Sequence, residues 1–182
     1  MPQTTERFRI ESTRLKEWNY STPWWYYVTI NTKDHISCLG DVVKGKMILG
    51  ELGKIAEDEW LKTKELRANV DLDYFVIMPN HVHGIIILTD YCKDVARNVS
   101  TENSFSRISP KPGSLATIIR SFKSSVTKQI HEIGCHNFSW QARFYDRIIR
   151  NEKELYNIKR YIEQNPLKWE FEKNNAENIY DF

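Results

Sequence analysis

MPNHVHGIIIL, residues 78–88, decides how this chain is read. Pro79-Asn80 marks a turn, and the residues after it read as a strand. Side chains alternate faces along a strand, so His81 and His83 point one way and Val82 the other. From Gly84 to Leu88 the strand is apolar on both faces, which belongs at the centre of a sheet covered on both sides. Two imidazoles converging from one strand suit a divalent metal, the more so if a third ligand arrives from elsewhere. A short His-x-His also fits histidines that only satisfy backbone carbonyls.

On either side, hydrophobic periodicity predicts the remaining elements. Residues 24–31 (WWYYVTIN) form a first strand, and 43–49 a weaker one after turn glycines Gly40 and Gly45. A helix is expected over 51–66 and a strand over 70–78, the latter in a hairpin with 81–89. Residues 114–132 form the clearest helix, with Leu115, Ile118, Ile119, Phe122, Val126 and Ile130 recurring near helical period. After a short strand at 143–149, Asn151 caps a last helix, with Glu154 in the capping-box position. Leu155, Ile158 and Ile162 are its packing face, and Asn165-Pro166 is expected to end it. Without one early strand and this helix the order is β-α-β-β-α-β. The predicted fold is therefore α+β and ferredoxin-like (RRM-like). It has a mainly antiparallel sheet of about five strands, the His pair on a central strand, and helices on both faces. The predicted organisation is an arm over 1–22, one catalytic domain over 23–170 with a flexible loop at 90–112, and a tail over 171–182.

Composition excludes several classes. The chain has 182 residues, 41% hydrophobic and 27% charged, which suits a single globular domain with a real core. No apolar run reaches the roughly 20 residues of a membrane span, and the polar start lacks a signal core, so a cytoplasmic protein without membrane contact is expected. Cys38, Cys92 and Cys135 are widely spaced and odd in number, against a disulfide framework or a Cys-type zinc site. A net charge of +2 is low for a non-specific nucleic-acid binder, so any such affinity depends on where the cations sit.

The last helix carries the second chemical candidate, Tyr161. Asn165 follows four residues later on the same helix face, so hydroxyl and amide can meet one site. A phenol is a weak nucleophile at neutral pH, and a metal polarising a phosphate lowers the barrier from the other side.

The combination of MPNHVHGIII, FYDRIIRNEKEL and YIEQNPLKW resembles the REP-associated tyrosine transposases, relatives of the HUH single-tyrosine insertion-sequence transposases. The similarity runs from about Thr13 to Trp169. It implies a DNA nicking and joining enzyme in which Tyr161 is the nucleophile and forms a 5′-phosphotyrosine intermediate. His81 and His83 are then metal ligands for Mg²⁺ or Mn²⁺. Asn165 stands where related transposases have a glutamine as third ligand, and is one methylene shorter. The implied partner is single-stranded DNA with hairpin, palindromic elements, in a bacterial nucleoid setting, with a monomer favoured over a homodimer.

The expected DNA footprint comprises Arg143, Arg147, Arg150, Lys159 and Arg160 around the tyrosine helix and Arg120 and Lys123 on the preceding one. Phe144, Trp140 and Trp169 are candidates for base stacking, although core packing is the stronger reading for each. Two rival readings remain at this point. One is a non-catalytic RRM-like nucleic-acid-binding protein, which leaves the His pair unexplained. The other is a metal-dependent hydrolase using water, which needs no Tyr161.

Overall fold

The computed structural model describes residues 15, 17–90 and 113–174. Most of the expected arm, nearly all of the 90–112 loop and the tail beyond 174 lie outside the described residues. The elements are β1 (Trp25–Asn31), β2 (Gly40–Val43), β3 (Lys46–Leu49), α1 (Glu51–Glu65), β4 (Val70–Ile77), β5 (His81–Leu88), α2 (Leu115–Glu132), β6 (Tyr145–Ile148) and α3 (Glu152–Asn174). A short 3-10 turn, Lys33–His35, follows β1.

The main sheet is antiparallel with order β4-β5-β1-β6, so the His-bearing β5 is internal. This is the ferredoxin-like order, with α1 and α2 as the crossover helices. The sheet has four strands rather than five. The region expected to be a single strand at 43–49 is split by Lys44 and Gly45, at φ 51° and 67°. Two successive positive φ values make a tight two-residue turn, and β2 and β3 pair only with each other.

Alternation along β1 and β5 divides the core in two. Tyr26, Val28 and Ile30, with Val82, Ile86 and Leu88, pack against the helix pair α1/α2. Tyr27 and Ile85 face the other way, against Leu155, Ile158 and Ile162 of α3. Helices thus cover both faces. The described end of the arm joins the first core: Trp18 Nε1 donates to Tyr26 OH (3.1 Å), and Tyr26 OH donates to Thr22 O (2.8 Å).

At Gly84 the sheet and α1 come close together. A Cβ there would lie 2.2 Å from Cζ2 of the fully buried Trp60. Gly84→Ala is expected to destabilise the fold by about 3 kcal/mol, the upper range for overpacking. That corresponds to a fall in melting temperature of roughly 6–12 °C, read by thermal unfolding. An unchanged midpoint would mean that Trp60 can vacate its position freely.

The last helix departs from expectation. Pro166 lies inside α3 instead of ending it. A mid-helix proline loses one backbone hydrogen bond and crowds the preceding turn. Here tertiary contacts hold the following segment in line: Lys44 N donates to Glu170 Oε1 (2.8 Å), and Leu167 presses on Gly45. Lys168 and Trp169 consequently stand on the tyrosine helix, and Phe171 to Asn174 belong to it rather than to a tail.

Candidate active site

The start of α3 is set by its cap. Asn151 Oδ1 accepts from Glu154 N (2.9 Å), as expected, while the Glu154 carboxylate accepts from Arg150 N (2.9 Å) rather than from Asn151. From this anchored start the helix crosses the sheet face that carries both histidines. Tyr161 is 43% exposed, open enough to meet a substrate, and its ring centroid lies 5.2 Å from that of His83. The His81 and His83 centroids are 4.4 Å apart. Asn165 is buried, and its side chain hydrogen-bonds His81. The four residues predicted from sequence meet at one place.

Each histidine is oriented by neighbours. His81 Nδ1 lies 2.6 Å from Asn80 Oδ1, an atom that only accepts, so Nδ1 carries the proton and Nε2 keeps its lone pair. His83 Nδ1 lies 2.7 Å from Tyr27 OH and 2.9 Å from Thr29 Oγ1, which again leaves Nε2 for another partner. Desolvation by burial holds His81 down to about 4. Asn165 acts in the opposite direction there, and the neighbouring His35 in the same one. Burial, with a smaller contribution from His81, holds His83 down to about 3. Both rings are therefore neutral near pH 7, the form that ligates metals. Burial raises the Tyr27 phenol well above its usual range, so Tyr27 stays protonated and serves as a support.

The donor set is two imidazoles and an amide. Among the described residues no group of three or more His, Cys, Asp or Glu side chains is placed to hold a metal. Hydrogen bonds at Nδ1 that leave Nε2 as the remaining nitrogen of each ring are what a metal-binding histidine pair requires, so the residues fit a divalent ion. With no carboxylate, the set favours an ion that accepts nitrogen, and Mn²⁺ suits it better than Mg²⁺.

The expected cations fall into two groups. Arg147 and Arg150 line a cleft of about 810 Å³ together with Tyr27, His83, Tyr145 and Tyr161. Arg147 is ion-paired with Glu154, and Arg150 is exposed. Arg143 and Arg160 are exposed, the latter with its guanidinium 5.9 Å from the Tyr156 ring centre. Lys159 points to the sheet edge, bonded to Asp73 (2.8 Å) beside the β4 bulge and lying over Tyr74. It is already neutralised by its own protein. Arg120 and Lys123 sit on α2, across the sheet from the cleft. Arg120 lines a shallow groove of that helix. Lys123 Nζ donates to Gln141 O (2.7 Å) and Arg143 O (2.9 Å), and burial lowers it to about 8. It ties the strand leading into β6. Trp140 packs on Phe122 and Phe138 in the core, whereas Trp169 stands 5.8 Å from His81.

Sequence reasoning missed Tyr27, Thr29 and Asn80. Their one signal is alternation: Tyr27 and Thr29 share a face of β1, but only the register, Thr29 opposite His83, brings them to the histidine.

Comparison with models of protein families finds no match. An uncharacterized protein of Haemophilus influenzae is 34% identical over 161 residues, which span 87% of this chain and 89% of that protein. Among solved structures, a REP-associated tyrosine transposase bound to a REP hairpin superposes with a TM-score of 0.56 at 20% identity, covering 88% of this chain and 74% of its own. A Deinococcus radiodurans chain described as a candidate transposase reaches a TM-score of 0.43 at 15% identity over 84% of this chain and 96% of its own, too distant to carry an argument. Among the described residues no helix is long and apolar enough to cross a membrane. The chain thus belongs to one family with the Haemophilus protein and has the α+β fold seen in the REP-associated tyrosine transposase.

Proposed function

We propose that this protein is a metal-dependent nicking and joining enzyme for single-stranded DNA, with Tyr161 as nucleophile. The observation that carries this reading is the meeting of an exposed phenol with two Nε2-directed histidines and a buried amide on one face of the sheet. The fold likeness to a transposase bound to a REP hairpin favours the same chemistry and a hairpin-flanked substrate.

His81, His83 and Asn165 would hold the ion, which when bound supplies Lewis-acid polarisation of the scissile phosphate. Tyr161 forms the Oη–P bond as the bond from phosphorus to the 3′ oxygen breaks. The phenol proton leaves to solvent, and the departing oxygen takes one up as a 3′-hydroxyl. The resulting 5′-phosphotyrosine conserves the phosphodiester energy, so attack by another 3′-hydroxyl rejoins strands. The Lys168 ammonium stands 5.9 Å from the centre of the Tyr161 ring and 3.5 Å from the Glu172 carboxylate.

Arg150 is placed to follow the DNA backbone along the cleft, with Arg147 beside it held by Glu154. Arg150→Ala is expected to weaken binding to single-stranded DNA evenly across sequences and to reduce the salt slope by about one. Titrations at several salt concentrations check this, and an unchanged slope would move the DNA path off the cleft. The function itself is tested by incubating the protein with labelled single-stranded DNA and Mn²⁺ and looking for a covalent adduct that survives denaturation. Cutting without any adduct under trapping conditions would make water the nucleophile.

A further inference from the structure

Beside the histidines lies a second polar arrangement that strand cleavage does not use. Asn31 ends β1 directly opposite His81. Its Nδ2 donates to Gln141 Oε1 (3.4 Å), and Gln141 Nε2 donates to His35 Nε2 (3.0 Å). An amide nitrogen does not accept, so His35 carries its proton on Nδ1. The His35 carbonyl accepts from Asn80 Nδ2 (3.0 Å), and Asn80 Oδ1 holds His81. An unbroken hydrogen-bonded chain thus runs from Asn31 through Gln141, His35 and Asn80 to His81.

The backbone at this place is strained. Asp34 and His35 are successive non-glycine residues at φ 53° and 54°. Such conformations persist only where the surroundings over-determine them, and they concentrate at functional sites. Here Thr32 Oγ1 donates to Ile36 O (2.9 Å) and Lys33 N donates to Ser139 O (2.9 Å), fixing both flanks of the turn.

The chemistry offered is a donor–acceptor edge of amides and an imidazole. Asn31 Oδ1 is an acceptor at one end, and His35 Nδ1–H is a donor at the other. His35 is exposed, while Asn31 and Gln141 are half-buried. A phosphate calls for cations, whereas such an edge matches the rim of a nucleobase. Trp169, on His81, offers a flat face for the same base. We propose that Asn31, Gln141 and His35 read one unpaired base next to the phosphate held at His81 and His83, a proposal that rests on the cleavage reading above.

The test is selection of bound oligonucleotides from a randomised single-stranded DNA pool by the full chain. Wild type is expected to enrich one base at one position. Gln141→Leu should lower that preference about tenfold, the worth of one good base contact, while affinity for the unselected pool stays within about threefold. Gln141→Glu keeps the size but replaces the donor with an acceptor, and should move the preference to a different base. Identical enrichment by wild type and both variants overturns the proposal, as does an equal loss across all sequences or a wild type that enriches nothing. Covalent capture run in parallel separates the two readings. Adduct formation with unchanged base preference removes the base-reading edge alone, and absence of any adduct removes the cleavage reading.

Discussion

Tyr161→Phe is expected to abolish strand cleavage, by on the order of 10⁴-fold or more, together with all covalent adduct. The change deletes one oxygen and keeps the ring. The ring stands 43% exposed, edge-on to Tyr27 and His83, so the loss of packing is small and the melting temperature should hold. Two other phenols lie near. Tyr27 is buried and kept protonated, and Tyr145 points into the cleft from β6, 6.4 Å from the Tyr27 ring. Neither shares the helix face of Asn165. An adduct formed by the Phe variant would make Tyr145 the nucleophile to examine next.

The second large effect is expected at the histidines. His83→Ala should lower cleavage by about 10³-fold, and a chelator should do the same to wild type, with Mn²⁺ restoring only the latter. The variant also takes from Tyr27 OH its 2.7 Å partner, leaving only Thr29 Oγ1 at 3.3 Å, so some stability is lost as well. His83→Gln keeps a polar atom near that hydroxyl and separates the two consequences. Calorimetric titration with Mn²⁺ reads the ligand role independently of catalysis. Wild-type affinity in both variants, or full cleavage in chelator, would end the metal assignment.

What could be read in the chain was mostly local. Alternation in MPNHVHGIIIL puts two histidines on one face, and helical spacing puts Tyr161 beside Asn165; both rules hold whatever surrounds them. The rest depends on pairings between residues far apart in the chain. Tyr27 and Thr29 become supports for His83 only through the β1–β5 register. Lys159 meets Asp73, distant in the chain, only because α3 packs across β4. Pro166 signals a helix end, but its helix continues because a distant hairpin binds the turns beyond it. The split at Gly45 had a local sign, the Lys-Gly pair, but the flanking residues are as apolar as one continuous strand.

The contact between Gly84 and Trp60 makes β5 a partition one residue thick. On one side is the largest fully buried side chain of the core, and on the other, one residue earlier, is His83. A backbone displacement at Gly84 is expected to move the neighbouring imidazole, and a functional constellation tolerates only about 0.5 Å. Substitutions around Trp60 are therefore expected to act on the proposed reaction centre without touching it. Foldability and chemistry share one mechanical element here, and neither can be altered at that point without the other.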